Sequence, residues 1–185
     1  MNSTEKISVG VFCGASNAVH KRWKDVATEL GELIAGNDFK LVYGGGRVGL
    51  MGCVADGCIS AGGEVSGVIT EKLMQIEVAH EGLESLEITS TMSDRRNRMI
   101  EYSDMFIALP GGVGTLDELF EVLALVDLKY HQKRVGLLNT FGYYNQLLAF
   151  LDHAIEERFI AKGCLSSLVV EDDPITLLSR LKPSR

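Results

Sequence analysis

Residues 109–119, LPGGVGTLDEL, place three glycines, a threonine and two acids between an apolar run and a helical stretch. Glycine lets main-chain nitrogens approach a ligand closely. Amides at a helix N-terminus are unsatisfied and sit at the positive end of the helix dipole. Gly111, Gly112, Val113, Gly114 and Thr115 therefore read as a cradle for a phosphate, with the Thr115 hydroxyl as a further donor. A threonine that only capped the helix would not require three glycines before it. Leu116 and Asp117 complete the segment, and Asp117 suits the dipole. Glu118 is expected in the first helical turn, off the centre of an apolar stripe formed by Leu116, Leu119, Phe120, Leu123 and Val126. From there it would look into the cleft. A phosphate with a carboxylate just beyond it suggests a sugar phosphate whose ribose hydroxyls meet that carboxylate.

A second stretch, TMSDRRNRM over residues 91–99, supplies the opposite charge. At helical spacing Met92, Arg95 and Met99 share one face. An arginine between two methionines needs an anionic partner, or it must reach back to water. Arg95 is expected to turn into the cleft and pair with Glu118 or with the ligand. Arg98 is expected on a solvated face, and Arg96 between the two. Together they give an acidic chain a local positive site.

Two further glycine loops follow apolar runs: Cys13-Gly14-Ala15-Ser16, and the stretch from Gly44 to Gly52. Ser16, Gly45 and Gly46 are read from these as further contacts to the ligand. Gly44, Gly46 and Gly49 formally satisfy GxGxxG, a weak signal alone. A dinucleotide fingerprint follows the first strand and has an acid ending the next one. Here the loop follows the second strand and Glu64 begins the third, so a nicotinamide or flavin site is disfavoured. No GxxxxGK[ST] is present. Tight turns and close helix–sheet packing remain an equally good account of these glycines.

The elements that must carry these loops alternate along the chain. Strands are predicted at 7–12, 40–43, 64–69, 85–89, 104–109, 135–138 and 168–170. Helices are predicted at 19–35, 49–60, 92–102, 115–128 and 143–157, with a short one after Pro174 and a loop between the third and fourth strands. Strands apolar throughout are buried on both faces, as in a parallel sheet covered by helices. The expectation is an α/β doubly wound, Rossmann-like sheet over residues 1–185 as one domain, with ligands at the carboxyl ends of the strands.

The bulk properties narrow the function classes. The chain has 185 residues, 46% hydrophobic and 23% charged, with a formal charge of −7. That balance argues against disorder and against a general nucleic-acid-binding role. No apolar run is long enough to span a bilayer, and the N-terminus lacks the pattern of a signal peptide. The four cysteines form no CxxC and are read as buried free thiols in a reducing cytoplasm. The four histidines lack zinc spacing, so no metal is expected.

PGGVGTLDE resembles the PGGxGTxxE signature of the Lonely Guy (LOG) family of cytokinin riboside 5′-monophosphate phosphoribohydrolases. Many of its members were once labelled lysine decarboxylases. VFCGAS, YGGGRVGLMG, IEVAHEGL, the Asp94-Arg95-Arg96 segment and VGLLNTFGYY follow in family order across nearly the whole chain. The resemblance implies a Rossmann-like homodimer that hydrolyses the N-glycosidic bond of AMP or N6-substituted AMP, without a metal or organic cofactor. It implies Arg95 and Glu118 as catalytic residues. Glu77, Arg96 and the segment from Gly112 to Glu118 would contact substrate. Two departures bear on base preference: Ser93-Asp94-Arg95-Arg96 stands where the family commonly has His-Glu-Arg-Lys, and Ala124-Leu125 where it often has Thr-Trp. The same fold also serves non-catalytic nucleotide sensors and molybdenum-cofactor carriers. A lysine decarboxylase would need a lysine for pyridoxal phosphate.

Overall fold

Seven short apolar segments become the strands of one parallel sheet in the computed structural model, which describes residues 6–182. They are β1 (Ser8–Phe12), β2 (Lys40–Tyr43), β3 (Glu64–Thr70), β4 (Ser85–Thr89), β5 (Met105–Ala108), β6 (Val135–Leu138) and β7 (Leu168–Glu171). The order across the sheet is β4-β3-β2-β1-β5-β6-β7, every pairing parallel. Val11 lies between Tyr43 and Ile107, which sets the register at the centre. The central strands are buried on both faces, while β4 and β7 at the edges are partly exposed.

Helices cover both faces. Helices α1 (Lys21–Gly36) and α2 (Gly49–Ser60), with the last helix, α7 (Pro174–Leu181), pack on Val9, Leu41, Tyr43 and Ile107. Helices α4 (Met92–Tyr102), α5 (Val113–Asp127) and α6 (Asn145–Glu156) pack on Phe12, Val68, Phe106 and Leu137. From β1 the chain winds outward to β4, then returns to place β5 on the other side of β1. The crevice of such a sheet opens where the winding reverses. That point lies between the tips of β1 and β5, where Cys13–Ser16 and Leu109–Gly112 stand.

Several boundaries differ from the sequence reading. The stretch predicted as loop after β3 holds a helix, α3 (Glu71–Glu77), none of whose residues is fully buried, so its apolar stripe is weak. Thr70 caps it by accepting from the Leu73 amide at 3.2 Å. Helix α1 starts at Lys21 because the His20 side chain caps it. Helix α5 starts at Val113, two residues early, so Thr115 is inside it and Glu118 lies in its second turn. Its buried face is Thr115, Leu119, Val122 and Leu123, and Phe120 turns to solvent instead of joining it. Of the cysteines only Cys58 is buried; Cys13, Cys53 and Cys164 are partly exposed. No helix among the described residues is long and apolar enough to cross a membrane.

Helices α1 and α2 touch through bare backbone. A Cβ on Gly31 would lie 2.1 Å from the Val54 carbonyl oxygen, and one on Gly57 would lie 2.3 Å from that of Thr28. Gly36, at the end of α1, has open space around it. Gly31→Ala is expected to destabilise the protein by about 1–3 kcal/mol through overpacking. Gly36→Ala should be neutral or stabilise it by up to about 1 kcal/mol. Urea denaturation of the two variants checks both directions.

Candidate functional site

A cleft of about 600 Å³ opens over the tips of β1, β2 and β5, within the size range of small-molecule sites. One wall is the start of α5. Gly112 caps that helix without a side-chain hydrogen bond, so no side chain claims the amides of the first turn. Cβ atoms on Gly112 and Gly114 would meet nothing within 4 Å. Packing does not require glycine at either position; their bareness keeps the amides open to the cleft. Gly111 differs, because a Cβ there would lie 2.1 Å from the Thr115 hydroxyl oxygen. Thr115 is buried beneath it.

The loop before α5 is held from behind. The Tyr144 hydroxyl donates to the Leu109 carbonyl (2.6 Å), the Gly14 amide to that of Pro110 (3.1 Å), and the Tyr143 hydroxyl to that of Gly111 (2.7 Å). Three consecutive carbonyls are thus satisfied by protein donors. Tyr143 in turn stands edge-on to Trp23 and Tyr144, with ring centres 5.5 and 4.8 Å away.

The opposite wall carries the charge. Arg95 projects from α4 and is buried. Its Nε donates to the Val68 carbonyl at 2.9 Å, and its Nη1 donates to Glu118 Oε1 at 2.7 Å. The guanidinium lies over Gly44, where a Cβ would come within 2.1 Å of Nη2. Burial pushes the Glu118 carboxyl above its ordinary value, and the Arg95 guanidinium opposes that rise. Burial also pushes the Cys13 thiol, on the cleft floor, well up. A neutral thiol is a poor nucleophile.

Residues 51–181 match the family described as "Possible lysine decarboxylase". A rice (Oryza sativa subsp. japonica) protein named probable cytokinin riboside 5′-monophosphate phosphoribohydrolase LOGL6 is 45% identical over 172 residues, covering 93% of this chain and 69% of that one. Arabidopsis thaliana LOG1, a cytokinin riboside 5′-monophosphate phosphoribohydrolase, is 42% identical over 172 residues, covering 93% and 81%. The chain belongs to this family. The molybdenum cofactor binding protein of Rippkaea orientalis superposes with a TM-score of 0.72 at 24% identity, covering 96% of each chain. The molybdenum cofactor carrier protein of Chlamydomonas reinhardtii gives 0.73 at 23%, covering 96% of this chain and 98% of that one. At those identities the likeness is one of fold.

In this LOG-family chain, the cleft brings together Ser16, Glu77, Arg95, Gly111, Gly112, Gly114, Thr115, Asp117 and Glu118 from the sequence reading. Other residues of that reading stand outside its lining. Arg96 turns outward to Asp117 and Glu121, with N–O distances of 3.3 and 2.6 Å. Val113 is 86% exposed, and Leu116 packs inward against the core. Gly45 takes φ of +74° against Ile69 and Leu86, and Gly46 lies against Glu77. Gly44 is the glycine of that loop that reaches the cleft. Trp23, Leu73 and Tyr143 line it too and were not singled out from sequence, and Met92, read there as sharing a face with Arg95, also lines it. The one available signal was that Trp23 is the chain's single tryptophan. Arg98 is solvated, pairing with Glu87 and Glu101.

No lysine lines the cleft among the described residues. The family's description as a possible lysine decarboxylase implies pyridoxal phosphate, but a Schiff base to that group needs a lysine. The residues present do not fit it.

Removing one partner of a buried ion pair leaves the other uncompensated. Arg95→Ala is therefore expected to lower stability by about 3–5 kcal/mol, whereas Arg95→Met combined with Glu118→Leu should be as stable as the parent or more so. Guanidinium denaturation of both proteins provides the comparison.

Proposed function

We propose that this chain is a phosphoribohydrolase, cleaving the N-glycosidic bond of AMP or an N6-substituted AMP to a free base and ribose 5-phosphate. The observation that carries the reading is the Arg95–Glu118 pair, at 2.7 Å, in the same cleft as the open amides of α5. The names of the relatives, phosphoribohydrolases of cytokinin riboside 5′-monophosphates, support it.

The amides of Val113, Gly114 and Thr115 hold the 5′-phosphate at the positive end of α5. That remote contact fixes the ribose before chemistry begins. As the C1′–N bond lengthens, positive charge develops on the sugar. Glu118 faces that charge and orients the attacking water. Arg95 fixes the Glu118 carboxylate, itself tethered by the Val68 carbonyl. The reaction uses no metal and no organic cofactor.

The whole chain acts as one nucleotide-binding domain, working as a homodimer in the cytoplasm. Free cysteines and a net charge of −7 suit a reducing compartment and a small-molecule ligand rather than nucleic acid or membrane.

Incubation with AMP and with isopentenyl-AMP, followed by separation of the products, should yield free base and ribose 5-phosphate. Glu118→Gln should bind AMP as the parent does and lose turnover by at least about a hundredfold. Nucleotide binding without any cleavage by the parent protein would favour a carrier or sensor instead.

A further inference from the structure

At the amino ends of the strands a wide groove is lined by charged groups that largely satisfy one another. Lys6 pairs with Asp38 and Glu64, Arg98 with Glu87 and Glu101, and the Asp104 carboxylate accepts from the Ser8 amide. Glu77, in the cleft at the other end, is different. Its Oε2 is buried and has no hydrogen-bond partner.

The backbone around Glu77 is built to keep it there. The Arg47 amide donates to the carbonyls of Glu77 (3.1 Å) and Val78 (2.9 Å). Gly46 pairs with Ala79 in an antiparallel bridge, and the His80 amide donates to the Gly45 carbonyl at 3.1 Å. Val78 takes φ of +51°, a left-handed conformation that a β-branched residue rarely adopts. Such strain persists only where surrounding contacts over-determine it. The Glu77 side chain folds against Gly46, where a Cβ would lie 3.1 Å from both its Cβ and its Oε2.

Few charges face this carboxyl. Arg95 approaches from α4, Glu118 stands on α5, and the Cys13 thiol lies beyond β1. Arg47, an exposed residue, meets it through the main chain. His80 turns its ring to Asp56, at 3.0 Å. Burial raises the Glu77 carboxyl above its ordinary value, outweighing the pull of Arg95. An oxygen buried without a donor disfavours the anion.

Across the sheet, the amide cradle stands at the tip of β5 and Glu77 beside the loop at the tip of β2, with β1 between them. We propose that a nucleotide with its phosphate in the cradle extends its base toward Glu77 and that Glu77 is the proton donor to the departing base, an inference that rests on the phosphoribohydrolase reading. The C1′–N bond breaks and its electron pair passes to the base, which takes the Glu77 proton on a ring nitrogen. Water oxygen bonds to C1′, and the proton it sheds passes through Glu118 to solvent. Glu77 then regains a proton from solvent. The active form holds one proton on Glu77 and none on Glu118.

The test compares AMP with 4-nitrophenyl riboside 5′-phosphate, whose phenolate departs without protonation. Glu77→Gln is expected to lose about 10²–10⁴-fold in kcat on AMP but far less, under about tenfold, on the nitrophenyl substrate. With AMP, the parent's kcat should fall as pH rises through the raised Glu77 value, since the donor must be protonated. That alkaline limb should be absent with the nitrophenyl substrate. Equal losses on both substrates, unimpaired AMP cleavage by the variant, or an alkaline limb shared by both substrates would overturn the proposal. A parent protein that cleaves neither substrate would remove the phosphoribohydrolase reading itself, and this inference with it.

Discussion

A guanidinium taken out of water on the floor of an apolar sheet is the constraint from which the rest of the cleft follows. Arg95 is buried, and a buried cation must be both paired and hydrogen-bonded. It spends one nitrogen on the Val68 carbonyl and another on Glu118. This ties together α4, β3 and α5, elements distant in sequence. It also dictates what stands beneath it. Gly44 has no side chain because the guanidinium occupies that space. The glycine loop after β2 therefore serves side chains: Gly44 makes way for Arg95, and Gly46 for Glu77.

The sheet, its strand boundaries to within one residue and the polarity of the cleft were legible in the sequence because parallel strands and covering helices leave strong periodic signals. The Arg95–Glu118 pairing was legible for a related reason: an arginine spaced between methionines has few places to put its charge. Helix α3 was not legible. None of its residues is fully buried, so its amphipathic stripe is weak, and its position is set by a bridge between Gly46 and Ala79 that no local pattern encodes. The sense of the Gly44–Gly46 loop was missed for a similar cause. Which glycine faces the cleft depends on what packs against each one, and those partners come from α3, α4, β3 and β4.

The start of α5 shows a division of labour among neighbouring glycines that composition hides. Gly111 is demanded by the Thr115 side chain packed against it, while Gly112 and Gly114 face open space. The first is a requirement of folding; the others keep a surface bare. Two tyrosines that satisfy the carbonyls behind this loop hold it rigid without crossing the cleft.

Trp23 stands at the rim of that cleft, edge-on to the Tyr143 ring that braces the loop. It is the chain's single tryptophan. The protein thus carries its own optical reporter: indole emission comes from one place, beside the mouth through which any ligand passes, with no background from elsewhere in the fold.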